Sequence, residues 1–208
     1  MSNATELPKI LDMKKIFSTL IFTVTLLSSI AQSKSDSSKH LSFKGVPIDG
    51  KLAEYVTKMK NAGFTHKGSK DGVAVLEGEF ASYKNCIVGV STMKQKDLVS
   101  KIGVMFPDRD TWSSLSSNYF NLKALLTEKY GSPSESTEEF QSYTPDDDGS
   151  KMAQVQLGAC KYYTNYETGK GTIQLSIEHD GLTHCFVKLA YFDKINSEVV
   201  KKQALDDL

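Results

Sequence analysis

The residues of this sequence that could carry chemistry begin with three cysteines. Cys86, Cys160 and Cys185 are the only thiols, and an odd number leaves at least one unpaired or bridged to another molecule. Cys160 and Cys185 fall on predicted strands on either side of a third strand, which places them about 9–10 Å apart. A disulfide needs Cα atoms within about 7 Å. We therefore interpret the cysteines as small buried hydrophobic residues.

Metal-binding residue types gather around one predicted hairpin, at Glu178-His179-Asp180 and His184-Cys185. A three-residue loop places His179 opposite Thr183 and turns His184 away, so the histidines do not converge on a metal or on Cys185. A two-residue loop at Gly181-Leu182 would bring the imidazoles together, with Cβ atoms about 5 Å apart, but it mispairs the apolar positions. We favour solvated residues at a hairpin end over a zinc site.

Three short motifs resemble known sites but lack part of the pattern that each site needs. The run Asp146-Asp147-Asp148-Gly149 has consecutive acids, whereas a calcium loop needs alternating acids and a glutamate where Val155 stands. Gly169-Lys170-Gly171 lacks the flanking residues of a phosphate-binding loop. Ser91 and Lys94 have the spacing of penicillin-recognising enzymes without their partner motifs. We expect no metal, no cofactor and no catalytic residue.

Aromatic residues are the best candidates for binding. The densest cluster is KYYTNYETGK, which holds Tyr162, Tyr163 and Tyr166. Strand alternation sends Tyr163 to the face opposite Tyr162 and Tyr166, so one set is core and the other exposed. Phe186 and Phe192 are expected on the non-core face, where an uncovered apolar patch would need a partner. Ordinary strand packing is the alternative for the tyrosines.

The element that must position these residues is a helix predicted over Asp110 to Gly131. Its apolar residues recur at spacings of three and four and share one face: Trp112, Leu115, Tyr119, Leu122 and Leu126. Asp110 or Thr111 can cap the N-terminus, and Gly131 ends the helix. Because strand-like sequence lies on both sides, this helix is expected to pack against a sheet.

The chain before and after this helix repeats one order of elements. A first helix, capped by Asp49, is followed by predicted strands within 64–69, 73–81, 86–93 and 98–106. Further strands follow the central helix, within 138–143, 152–167, 172–179 and 184–192, and an amphipathic helix covers 195–208. This order predicts an α+β fold of two tandem αββββ units, 41–108 and 109–208, with an antiparallel sheet packed against helices.

The last hairpins of the two predicted units can be aligned. In the first, Cys86, Val88 and Val90 face Phe106, Val104 and Ile102. In the second, Ile173, Leu175 and Ile177 face Leu189, Val187 and Cys185. Both registers place apolar opposite apolar residues. The loop centres, Lys96 and Gly181, are 85 residues apart, as are the core positions, which favours an ancient duplication.

The N-terminus predicts export. Met13-Lys14-Lys15 precedes an apolar run from Ile16 to Leu27, and Ser29 and Ala31 supply the small residues of a cleavage site. The run is too short to cross a bilayer about 30 Å thick. We assign 1–12 to an upstream extension, 13–31 to a signal peptide and 32–40 to a disordered leader. No cysteine follows the run, so a lipid anchor is not expected.

The charge balance argues against nucleic-acid binding. The 208 residues include 25 basic and 25 acidic side chains, so no overall field attracts a polyanion. Arg109 is the only arginine, although arginine makes most bidentate contacts to phosphates and bases.

Two resemblances agree with this organisation. The tandem helix-plus-four-strand order behind a signal peptide resembles the β-lactamase inhibitory protein family, in which two such units present a concave antiparallel sheet to a target enzyme. The segments FKGVPIDG (43–50) and TWSSLSSNYFNLKALLTEKYG (111–131) resemble small exported proteins of Gram-negative bacteria that carry no assigned activity.

These features together favour an exported, non-catalytic binding protein. It would act in the periplasm or outside the cell, as an inhibitor or adaptor that uses one sheet face against a protein or glycan. Two alternatives stay open. One is a small-molecule or glycan carrier with a pocket between sheet and helices, and the other is a hydrolase that uses carboxylates such as Glu77, Glu79 and Glu178.

Overall fold

The structure is a computed structural model that describes residues 38–93, 96–206 and 208. The residues predicted to be an extension (1–12), a signal peptide (13–31) and the first part of a leader (32–37) lie outside this range. The described residues form four helices, α1 (Leu52–Asn61), α2 (Trp112–Tyr130), α3 (Asp148–Gln156) and α4 (Lys194–Asp206). The strands are β1 (Ser42–Phe43), β2 (Val46–Pro47), β3 (Thr65–Lys70), β4 (Val73–Phe80), β5 (Tyr83–Met93), β6 (Leu98–Met105), β7 (Glu135–Phe140), β8 (Cys160–Thr168), β9 (Gly171–Asp180) and β10 (His184–Asp193).

Eight strands form one antiparallel sheet in the order β3-β4-β5-β6-β10-β9-β8-β7, and β1 and β2 form a separate short hairpin. Each of the two four-strand runs is built from neighbours along the chain, and β6 pairs with β10 where the runs meet. The α+β class and the large antiparallel sheet packed against helices are therefore confirmed.

The core lies on one face of this sheet. A row of buried side chains crosses six strands in direct cross-strand pairs: Ala74, Val90, Ile102, Tyr191, Ile173 and Tyr166. Tyr55 and Met59 of α1 and Met152 and Val155 of α3 join the same cluster. The predicted stripe of α2 also packs here, with Leu115, Tyr119, Leu122 and Leu126 buried and Trp112 packed against the cluster.

The ends of α2 follow local rules. The Thr111 hydroxyl accepts a hydrogen bond from the Ser114 amide at 3.3 Å, which caps the first turn as predicted. Gly131 has φ +86° at the C-cap, where glycine is favoured. Asp49, in contrast, does not cap α1: the N-cap position is Lys51, with no side-chain hydrogen bond. The Asp49 carboxylate accepts instead from Asn196.

Of the two predicted hairpin registers, the first is confirmed and the second is wrong. The pairs Val88–Val104 and Val90–Ile102 form as predicted. The second hairpin is shifted by two residues, so that Ile173 faces Tyr191 and Ile177 faces Val187. This register adds Tyr191, a buried residue, to the apolar pairs. It also moves the centre of the turn to Leu182, so the hairpin centres are 86 rather than 85 residues apart.

Two further predictions on secondary structure need correction. Residues 152–156 were predicted to begin a strand but belong to α3, because Asp147 caps that helix through the Ser150 amide at 2.8 Å. The C-terminal helix forms, but its apolar side is not packed as predicted. Ile195 and Val200 are each 37% exposed and Leu205 is 60% exposed, and Asn196 is the one buried residue of α4.

Candidate functional site

The candidate site is the sheet face opposite the core, called here the open face. It consists of the side chains that alternate with the core residues on β4, β5, β6, β10, β9 and β8. Val73, Val75 and Met105 on this face are each more than a third exposed, at 37%, 36% and 38%. The core helices α1, α2 and α3 pack on the other face. Most central positions of the open face are half-buried, and Ser176 and Ala190 are buried.

Two glycines and an alanine cross the middle of the open face in one row. Gly89 faces Gly103, and Gly103 faces Ala190 on the next strand. The row continues through Val75 on one side and Gln174 on the other. These central positions carry little or no side chain, and Ala190 is only 2% exposed; the row is called here the glycine trench.

The two sides of the glycine trench carry apolar and charged residues. On one side, Phe192 lies opposite Lys101, whose Nζ atom is 4.7 Å from the centre of the phenyl ring. On the other side, Lys188 lies opposite Met105, and its Nζ atom is 3.6 Å from Glu178 Oε1. Burial lowers the pKa of Lys101, and repulsion from Lys188 lowers that pKa further.

The five predicted binding residues divide between the two faces. Tyr166 is 1% exposed on the core face, where its hydroxyl donates to the Lys123 carbonyl at 3.0 Å. Tyr162 packs among aromatic rings of the same face, 5.1 Å from the Trp112 ring centre. These two tyrosines therefore lie on the core side of the sheet, as strand alternation allowed.

The other three predicted residues belong to the open face. Tyr163 is half-buried, and its hydroxyl donates to Glu135 Oε1 at 2.5 Å. This contact and a hydrogen bond from Asn165 lower the pKa of Glu135. Phe186 and Phe192 are half-buried on β10. The open face therefore carries Tyr163, Phe186 and Phe192 but not Tyr162 or Tyr166.

Shallow clefts border the open face, and two of them lie beside its phenylalanines. One has a volume of about 440 Å³ and lies between α4 and the strands, lined by Phe192, Thr172, Glu167 and Lys201 among others. The other has a volume of about 390 Å³ and is lined by Ile87, Met105, Phe186 and His184 among others. The face is thus uneven at its margins.

The cysteines and histidines form no reactive group within the described residues. All three thiols are free, with Cys86 and Cys185 buried and Cys160 half-buried. Burial raises the pKa of Cys160 to about 12 and that of Cys86 to about 11, which opposes thiolate formation. The shifted register places His179 opposite Cys185 and not opposite Thr183. No cluster of three metal-ligating side chains is found in the described range.

A buried polar network that the sequence did not predict holds α4 in place. Asp193 is fully buried and accepts hydrogen bonds from the Leu41 amide at 2.7 Å and the Asn196 amide at 2.9 Å. His40 Nδ1 lies 3.0 Å from the same carboxylate. His40, which lies in the leader predicted from the sequence, takes part in this network. His40 and Leu41 lie about 150 residues from Asp193 in sequence, and no local pattern links them to it.

The comparisons with known proteins give no relative. No protein-family model matches the chain, and neither a curated protein nor a solved structure matches it. The resemblance to the β-lactamase inhibitory protein family therefore stays a prediction. No helix among the described residues has the length and apolar character needed to cross a membrane.

Proposed function

We propose that this chain is an exported, non-catalytic binding protein that uses the open face to hold a partner outside the cytoplasm. The observation that carries the proposal is the asymmetry of the sheet. One face is buried under helices, while the other carries Val73, Val75 and Met105 with more than a third of each exposed. Apolar residues exposed together on one surface are typical of interaction sites, although Phe120, Leu125 and Leu157 are more exposed outside this face.

The aromatic residues on this face support the same function. Tyr163, Phe186 and Phe192 are half-buried and anchored on strands, so that little side-chain entropy would be lost on binding. The sheet provides a rigid base for them. An inhibitor or adaptor is the class of binding protein that fits such a surface.

The alternative of a hydrolase has less support. Glu77 on β4 and Glu178 on β9 are separated by four strand spacings, which is about 19 Å. Paired carboxylates in glycoside hydrolases lie within about 9.5 Å. Glu77 also pairs with Lys67 at 2.8 Å, as a solvated structural ion pair does. Glu79 lies two residues from Glu77 on the same strand and is exposed.

The carrier alternative requires a pocket between sheet and helices. The cavity between α2 and the sheet has a volume of about 150 Å³ and is lined by Leu122, Leu126 and Tyr191 among others. Small-molecule pockets usually measure about 300–1,000 Å³. The larger clefts lie at the margin of the open face, so a small glycan would bind there and not in the core.

We also propose that the sheet derives from two tandem αββββ units. The reversed order of the second four strands and the β6–β10 pairing support a twofold arrangement. The hairpin alignment supports a duplication less well than the sequence predicted. The centres of the two observed hairpins are 86 residues apart, whereas their core positions are an odd number of residues apart. No single offset therefore aligns both the centres and the core positions. Insertion of α3 between β7 and β8 accounts for the different lengths of the units.

A site-specific crosslinking experiment tests the proposed function. A photoreactive benzoylphenylalanine replaces Gln174 on the open face, and the control carries it at Leu125, which is 53% exposed on the outer side of α2. The full-length chain is expressed in its natural host, and the periplasm and medium are irradiated. We expect an adduct of defined mass from position 174 only. Equal adducts from both positions, or none from position 174, would refute the proposal.

The same material tests export. Cleavage after Ala31 leaves Gln32 as the first residue, so mass spectrometry of the exported protein should give the mass of residues 32–208. Retention of the intact chain in the cytoplasm would contradict this part of the proposal.

A further inference from the structure

A small apolar cavity lies on the core side of the sheet, away from the open face. Its volume is about 150 Å³, and it is bounded by α2, by the turn between β4 and β5 and by β10. The buried residues Leu122, Leu126 and Leu189 form its apolar wall. Leu125 and Lys129, which are exposed, lie at its mouth. The cavity is therefore open to solvent beside α2.

This cavity also contains a polar group without a partner. Tyr191 lines it and is 4% exposed, and its hydroxyl makes no hydrogen bond to any described residue. The polar side-chain atoms that are fully closed off without a partner, within the described range, belong to Tyr55 and Asn118. The Tyr191 hydroxyl is not among them, so it still reaches an accessible space. That space is the cavity, and the hydroxyl can donate to a molecule bound there.

The polar side chains of the lining are all donors. Burial raises the pKa of Tyr191, and the neighbouring Tyr130 raises it further, so the hydroxyl stays protonated. Lys129 Nζ lies 5.0 Å from the centre of the Tyr130 ring and makes no ion pair with a described residue. Lys129, Tyr130 and Tyr191 are the polar residues around the cavity, and none of them is acidic. The cavity therefore favours a ligand that carries a hydrogen-bond acceptor.

The volume and the charge limit the kind of ligand. Pockets for drug-sized molecules usually measure at least about 300 Å³, but an apolar cavity of about 150 Å³ in another protein binds benzene. One phenyl ring or one short alkyl chain therefore suits this cavity. Because Lys129 lies at the mouth, a carboxylate is a better acceptor here than a neutral group.

We propose that this cavity binds a small monocarboxylic acid whose apolar body is a phenyl ring or a short alkyl chain. The apolar body lies against Leu122, Leu126 and Leu189. The carboxylate accepts a hydrogen bond from the Tyr191 hydroxyl and pairs with Lys129. This site lies on the side of the sheet opposite the open face, so it goes beyond the proposed function and does not depend on it.

NMR titration of the purified protein with phenylacetate and with hexanoate tests the site. Either acid should shift the leucine methyl signals, and those of Leu122, Leu126 and Leu189 should shift most. Phenylacetamide keeps the ring but has no charge, so it should bind at least tenfold more weakly than phenylacetate. Dodecanoate should bind no more tightly than hexanoate, because the cavity cannot bury the longer chain.

Two substitutions test the polar contacts. Tyr191→Phe and Lys129→Met should each weaken the binding of phenylacetate at least fivefold. One matched control is Tyr143→Phe, which removes a hydroxyl from a tyrosine that is 60% exposed. The other is Lys161→Met, because Lys161 also lies over a tyrosine ring, 5.6 Å from the centre of Tyr163. Both controls should leave the affinity unchanged.

Thermal unfolding without ligand separates a binding role from a structural one. Since the Tyr191 hydroxyl has no partner among the described residues, Tyr191→Phe should unfold at the same temperature as the wild type or higher. The proposal is overturned by a lower unfolding temperature of Tyr191→Phe, by equal affinity for phenylacetate and phenylacetamide, or by unchanged affinity in both variants. Absence of any leucine shift at millimolar concentrations of the two acids would also overturn it.

Discussion

Asn196 illustrates how one buried amide can hold a whole element. Its side-chain nitrogen donates to the carbonyl oxygens of Ile48 at 3.1 Å and Val99 at 2.9 Å, and to Asp49 Oδ1 at 3.1 Å. The side chain is 3% exposed, so water does not replace these bonds easily. The loop before α1, the start of β6 and α4 therefore meet at one residue.

Replacement of Asn196 by alanine should lower the free energy of unfolding by about 2–3 kcal/mol, because two buried carbonyls would lose their donor. Urea denaturation followed by circular dichroism measures the change. Gln203→Ala in the same helix is the control and should change stability by less than about 0.5 kcal/mol. A loss of similar size in both variants would show that α4 is held by other contacts.

His184 provides a pH-dependent contact at the surface. Its Nδ1 atom lies 2.6 Å from Asp108 Oδ2, and this hydrogen bond, with the charge of Asp108, raises the pKa of His184 above its ordinary value. Because the folded pKa is raised, the stabilisation is complete below the unfolded pKa of about 6.5 and is lost as the pH rises through the folded pKa.

The wild type and His184→Gln should therefore differ in stability at pH 5.5 and converge at pH 8.5. Urea unfolding at the two pH values measures the difference, and titration of the His184 ring protons by NMR locates the pKa. A difference that grows with pH, or a His184 pKa at or below about 6.5, would contradict the assignment.

At the scale of elements, the acidic run before α3 caps two helices. Asp147 accepts from the Ser150 amide of α3, and Asp148 accepts from the Trp112 and Ser113 amides of α2 at 3.1 and 2.6 Å. A carboxylate at a helix N-terminus also interacts favourably with the helix dipole. The contact of Asp148 with α2 was not predicted from the sequence.

Asp148→Ala should lower the free energy of unfolding by about 1 kcal/mol, the usual effect of a lost helix cap. Asp146→Ala removes the same charge from the same run without removing a capping carboxylate, so it should have little effect. Chemical denaturation of both variants gives the comparison. Equal losses would assign the effect to net charge.

At the scale of the whole molecule, the β6–β10 pairing makes one sheet from two sequential runs of strands. The central strands β5, β6, β10 and β9 have neighbours on both sides, and their core residues are buried. All six residues of the edge strand β3 are exposed, and its ladder contains a bulge between His66 and Gly68. The bulge and the charges of β3 protect this edge against aggregation.

Amide hydrogen exchange should therefore be slowest in β5, β6, β10 and β9 and fastest in β3 and the second half of α4. Mass spectrometry of peptic fragments measures this order. If the protein unfolds in one step, the central strands of both runs should exchange together. Separate exchange of β4–β6 and β8–β10 would instead indicate two independently unfolding units.

Much of the local structure could be predicted because its signals are local. The apolar stripe of α2, the cap at Thr111 and the pairing of Val88 with Val104 depend on residues that are near one another in sequence. The predictions for α3 and for the register of the second hairpin were wrong, because in each case the local sequence fits two structures. Met152 and Val155 fit a helix as well as a strand, and two registers of β9 and β10 both align apolar residues.

The amino-acid sequence by itself determined the class of fold, the order of most elements and the alternation that divides Tyr163 from Tyr166. Only the tertiary structure decided that β6 pairs with β10, that Asn196 and Asp193 anchor α4, and that Gly89, Gly103 and Ala190 form one row. These contacts join residues that are about 15 to 150 positions apart. Periodicity records which side of an element is apolar, but it does not record which distant element will lie beside it.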